Sequence, residues 1–158
     1  MGSLAAGRPK PILYAAAALS MVAALIHLWV MPEHFREGWG YGVFFLVSAS
    51  AQLLYVPLLR WPNRTILLFG IAANLAIVVL YLLTRTVGIP FFGPEAGEVE
   101  RVGFADVCAT TSEVGIGVAL GAALLQDTTP GRRRTIALIV AVALVLVGHV
   151  VHLVLRAS

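Results

Sequence analysis

The sequence predicts an all-α polytopic membrane protein: a bundle of five transmembrane helices, amino terminus cytoplasmic and carboxyl terminus extracytoplasmic, with a short interfacial helix after the first span. Three observations predict it. Of the 158 residues, 59% are hydrophobic and 12% charged, and the mean hydropathy is +0.91, a composition that a soluble domain of this size does not tolerate. The apolar residues fall into five runs, each about long enough to cross ~30 Å of hydrocarbon at ~1.5 Å per residue. Most of the charges collect in the connections between these runs. One membrane domain accounts for the length, and the expected surrounding is the lipid bilayer of the cell membrane.

The first run, 11–31, follows a basic lead with Arg8 and Lys10 and contains no Asp, Glu, Lys or Arg. Its far end, His27 to Met31, lacks the small-residue cleavage pattern of a secretory signal, so it reads as a retained span. Pro32 suits the first turn of a new short helix, and Phe35 with Trp39 would give that helix an apolar side lying in the interface. The second run, 42–59, carries Ser48, Ser50 and Gln52; the basic turn Arg60 to Arg64 follows. The third run, 65–84, is interrupted by Asn74 and closes at Arg85.

The long connection to residue 102 contains Pro90, Gly93, Pro94 and Gly97 with three glutamates, and reads as an ordered loop because Ile89, Phe91 and Phe92 require burial. The fourth run, 103–125, is the most polar, holding Asp106, Cys108, Thr110, Thr111, Ser112 and Glu113. Its second half has small-xxx-small spacing from Gly117 to Gly121, which permits close helix approach within the chain, in a homo-oligomer or in a larger membrane complex. A turn ending Arg132-Arg133-Arg134 leads to the fifth run, 135–155.

Five crossings sort the basic residues by side. Arg8, Lys10, Arg60, Arg64 and Arg132 to Arg134 share one face of the membrane, and Arg36, Arg85, Arg101 and Arg156 share the other. The richer side is cytoplasmic. The net charge of +3 thus follows topology, and no nucleic-acid partner is expected. The single Cys108 cannot form an internal disulfide and fits no CxxC pattern.

Topology assigns each intramembrane polar group a depth. His152 and His149, one turn apart on the otherwise apolar fifth run, fall roughly 5 and 9 Å below the outer boundary, His27 about 6 Å and Asp106 about 5 Å. Glu33 and His34 lie in the connection just above. Glu113, Asn74 and Gln52 come out about 15 to 18 Å deep. Asp106, Thr110 and Glu113 share one face of the fourth helix, so opposite His149 and His152 they would line a wet, ionisable cavity open to the outside. The Phe44, Phe45, Trp29, Trp39 and Tyr41 aromatics read as lipid-facing or belt residues.

Three functions fit that pattern. The first is a transition-metal site for zinc, copper or iron, with His27, His149, His152, Asp106, Glu33 and His34 as ligands. If such a metal activates water, Glu113 and Asp106 are the catalytic candidates. The second is proton-linked transport or coupling through a metal-free polar cavity, and the third is a b-type haem held by His27 and His149 or His152. Glu113 demands a partner under each of them, because a carboxylate near the bilayer centre costs about 2.5 to 3.5 kcal/mol. HxxH spacing alone does not choose among the three, nor between catalysis and binding.

Overall fold

The computed structural model describes residues 11–88, 97–126 and 141. Among them there are four α-helices and no strand: α1 (Pro11–Glu37), α2 (Trp39–Leu58), α3 (Arg64–Thr86) and α4 (Phe104–Gln126). All four are long and apolar enough to cross a membrane. The predicted fifth span, with His149 and His152, lies outside the described residues except for Ala141, which is helical.

Spans two to four occur within three residues of their expected bounds, but the first is longer than expected. Helix α1 continues through Pro32 to Glu37, where a separate interfacial helix was expected, and only Gly38 stands between it and α2. Pro32 removes one intrahelical hydrogen bond without ending the helix. The chain reverses at Gly38, and the Phe35 ring then packs directly on Gly42, where a β-carbon would collide with it.

Helix α1 packs on α2 and α4, and α3 packs on α4. The apolar core occupies one end of this bundle. It joins Leu13 and Ala16 of α1, Tyr55 of α2, Leu59 just beyond it, Leu67 of α3, and Ile116, Ala119, Leu120 and Ala123 of α4. Small buried residues on α1 (Ala16, Ser20, Ala23, Ala24) keep it close to its neighbours. The α2–α3 turn at this end is fixed locally: Asn63 caps α3 by accepting from the Ile66 N–H at 2.9 Å, and the Tyr55 hydroxyl donates to the Ile66 carbonyl at 2.9 Å.

At the opposite end α3 is closed by Gly88 in the left-handed region, φ 73°, with the Val87 and Gly88 N–H groups both donating to the Leu83 carbonyl. The chain returns to this point, where Glu100 N–H donates to the Thr84 carbonyl at 3.1 Å. Large apolar side chains on the outer faces, among them Leu25, Trp29, Val47, Leu54 and Phe69, are exposed, a surface that lipid accommodates and water does not. On α4, Gly121 is buried, whereas a β-carbon at Gly117 would meet nothing within 4 Å among the described residues.

Candidate functional site

The end of the bundle away from the apolar core encloses a cavity of about 550 Å³. Its lining comes from the second half of α1, the start of α2, the end of α3, Glu100 and the start of α4. Asp106, Thr110 and Glu113 all reach it, as their shared helical face requires.

At its base is a pair linking two helices. His27 Nε2 and Glu113 Oε1 are 2.9 Å apart, and their side chains are only 4% and 1% exposed. This partner for Glu113 was not expected, because the depth assigned to His27 assumed a helix ending at Met31. Measured from Glu37, His27 lies about 15 Å from the end of α1, and Glu113 lies about 14 Å from the start of α4. The two are therefore level with each other. Asp106, only about 3 Å from the start of α4, is not level with His27.

Around the pair several buried polar groups are short of partners. Among the described residues His27 Nδ1 finds no hydrogen-bond partner, nor do the Gln52 side-chain oxygen and nitrogen or Asn74 Oδ1. Gln52 lies beside the Glu113 carboxyl, while its backbone carbonyl accepts from Ser20 Oγ at 2.9 Å. Asn74 donates to the Gly70 carbonyl at 2.8 Å. Buried polar atoms of this kind are normally satisfied; besides these, Arg85 Nε, in a second cluster, is also without a partner among the described residues.

Arg85 forms the second cluster, and sequence reasoning gave it only a topological role. Its side chain is 7% exposed; one Nη bonds Glu100 and the Thr84 hydroxyl, and the other donates to Asp106 at 2.8 Å. The guanidinium also lies 5.0 Å from the centre of the Tyr81 ring. The same Asp106 oxygen accepts from the Gly103 N–H at 2.9 Å, which satisfies a free donor at the start of α4. Asp106 thus ties the returning loop, α3 and α4 together. The available signal was the pairing of one arginine at a span end with acidic groups on the same predicted side.

His34 lines the cavity farther out. Its Nδ1 donates to the Val30 carbonyl at 2.9 Å, and its Nε2 lies 3.9 Å from Glu37. Phe45 sits between the two imidazoles, its ring centre 4.0 Å from that of His34 and 5.4 Å from that of His27. Phe44, Phe45 and Tyr41, expected to face lipid, line the cavity; Trp29 and Trp39 are exposed on the outside. Glu33 pairs with Arg36 at 3.1 Å, both largely exposed.

The expected ligands therefore separate into distinct settings. His27 is with Glu113, Asp106 with Arg85, His34 with Val30 and Glu37, and Glu33 with Arg36. Among the described residues no three His, Cys, Asp or Glu side chains gather as a metal-binding group. His149 and His152 lie outside those residues. Comparison with protein families, curated proteins and solved structures gives no match for this chain.

Proposed function

We propose that this is an integral protein of the cell membrane, with a cytoplasmic amino terminus and a fifth span over 135–155, whose cavity is a proton-linked binding site serving transport or coupling to a larger complex. The observation that carries this reading is the His27–Glu113 pair at the base of the cavity. Carboxyl and imidazole each have a protonated and an unprotonated form, and a hydrogen bond between them in a site screened from water makes the proton count sensitive to any charge brought alongside. The unpartnered His27 Nδ1 adds one further position to take up or share a proton. The apolar packing at the other end of the bundle closes the site on that side, which suits a pocket loaded from one face.

A second reading, a transition-metal centre of zinc, copper or iron, is favoured by the same His27 ring. A metal-binding imidazole commonly has its other nitrogen held by a carboxylate, and Glu113 at Nε2 with Nδ1 unoccupied by any partner fits that form. In that reading Glu113 orients His27, with further ligands supplied by His149 and His152.

Metal analysis and an absorption spectrum of the purified protein, combined with infrared titration, separate the readings. The proton-linked site predicts no stoichiometric metal, no Soret band, and a carboxyl band that changes with pH and is missing in Glu113→Gln. Stoichiometric metal lost in His27→Ala would establish the metal centre instead. A Soret band would establish haem, and absence of the titrating band would refute the proposal.

A further inference from the structure

We infer that the ligand of this cavity is a lipophilic organic cation, an inference that rests on the proton-linked reading and specifies its substrate class. The sign of the lining comes first. Among the described residues, four carboxyl groups line the cavity (Glu37 on α1, Glu100 before α4, Asp106 and Glu113 on α4) against one guanidinium, Arg85 of α3, while α2 contributes no charge. With His27 and His34 neutral and the acids ionised these described lining residues carry a net charge of three negative units; with both imidazoles protonated they still carry one.

Arg85 does not offset this for an incoming anion. Both of its terminal nitrogens are already engaged by Glu100 and Asp106, so an anionic ligand would have to displace a carboxylate to reach it. A cation faces no such competition: Glu113 is held by the His27 imidazole with the Gln52 side chain beside it, and His27 Nδ1, on a residue 3% exposed, has no hydrogen-bond partner among the described residues. When the ring is neutral and donates through Nε2 to Glu113, Nδ1 is an acceptor that an ammonium N–H can use.

The walls supply the rest of the chemistry. Tyr41, Phe44, Phe45 and Tyr81 contribute aromatic rings, whose faces attract cations while their bodies bury apolar substituents. One of these rings already receives a cation, since Arg85 lies over Tyr81. The volume of about 550 Å³ falls within the ~300–1,000 Å³ range usual for sites that enclose small organic molecules. A cation seated beside Glu113 stabilises its carboxylate, so the proton held by the pair leaves towards the cavity mouth as the ligand arrives. Cation and proton therefore compete.

The test uses the full chain purified in detergent and equilibrium dialysis against tetraphenylphosphonium and its isosteric anion tetraphenylborate. Saturable binding of the cation at about one per chain is expected near pH 8, weakening towards pH 5 as protons compete for the same site. Glu113→Gln should weaken it about tenfold. Glu37→Lys, at a half-exposed position 3.9 Å from His34, should weaken it several-fold, so a folding defect in the first variant leaves the proposal testable. Equal binding of the borate, no saturable phosphonium binding, or indifference to both substitutions would overturn it. If phosphonium fails to bind while the infrared titration of Glu113 is present, the substrate class falls and the proton-linked reading stands; if that titration is absent, both fall.

Discussion

Removing either member of the His27–Glu113 pair should cost much more than removing both. Both side chains are almost fully buried, and the loss of one partner from a buried pair typically costs about 3 to 5 kcal/mol, because the survivor is left without compensation. Replacement of both by apolar residues of similar size leaves no orphan and is commonly near neutral. For a chain of 158 residues, about 3 kcal/mol corresponds to a melting shift of roughly 6 to 12 °C. His27→Leu and Glu113→Leu should each fall by that amount, and His27→Leu/Glu113→Leu should recover to within about 1 kcal/mol of the parent. The measurement is thermal and SDS-driven unfolding followed by far-UV circular dichroism in a single detergent, combined as a double-mutant cycle. Ordinary hydrogen bonds between membrane helices couple by only about 0.6 kcal/mol on average. A coupling at or below that value, or additive losses in the double variant, would refute the argument that the two groups compensate each other.

Four further outcomes follow from the packing. Gly42→Leu should destabilise by about 1 to 3 kcal/mol because its side chain meets the Phe35 ring, whereas Gly117→Ala, with open space around it among the described residues, should be neutral or stabilising by up to about 1 kcal/mol; unfolding midpoints decide, and a destabilised Gly117→Ala would mean that this face is covered, by the proposed fifth span or by a second copy. Arg85→Met should release Glu100 and Asp106 together, seen as faster hydrogen exchange over residues 97–106 with the apolar end of the bundle unchanged; unchanged exchange there would show that the backbone bonds alone hold the loop. Tyr55→Phe should cost about 1 kcal/mol through loss of its bond to the Ile66 carbonyl, measured by the same unfolding assay, and a neutral result would show that packing on Gly70 carries the α2–α3 junction.

The spans were legible because charge marks their ends: Arg60 and Arg64 bracket the α2–α3 turn and Arg85 closes α3. The end of α1 was not legible, because Pro32 suits both the first turn of a new helix and the interior of a continuing one, and only the chain reversal at Gly38 decides between them. That error of about one and a half turns moved His27 by roughly 9 Å along the helix axis and hid its pairing with Glu113. The inward side of each helix was equally hard to read. In lipid both the core and the outer surface are apolar, so periodicity that would separate Phe45 from Trp29 in water carries little contrast here. Arg85 was hidden for a different reason: its partners Glu100 and Asp106 reach it only once residues 97–103 fold back over α3.

The length of α1 has a consequence for the surrounding bilayer. At 27 residues it measures about 40 Å against ~30 Å of hydrocarbon, while α2 at 20 residues matches that thickness. An isolated helix would absorb the mismatch by tilting, but α1 is packed against both α2 and α4 and cannot tilt alone. In a bilayer of that thickness its surplus of about two turns would extend beyond the hydrocarbon, at the end of α1 that carries Glu33, His34, Arg36 and Glu37. A thicker membrane draws these groups towards the acyl chains and a thinner one lifts them farther into the headgroups, so bilayer thickness tunes how deeply the mouth of the cavity is submerged.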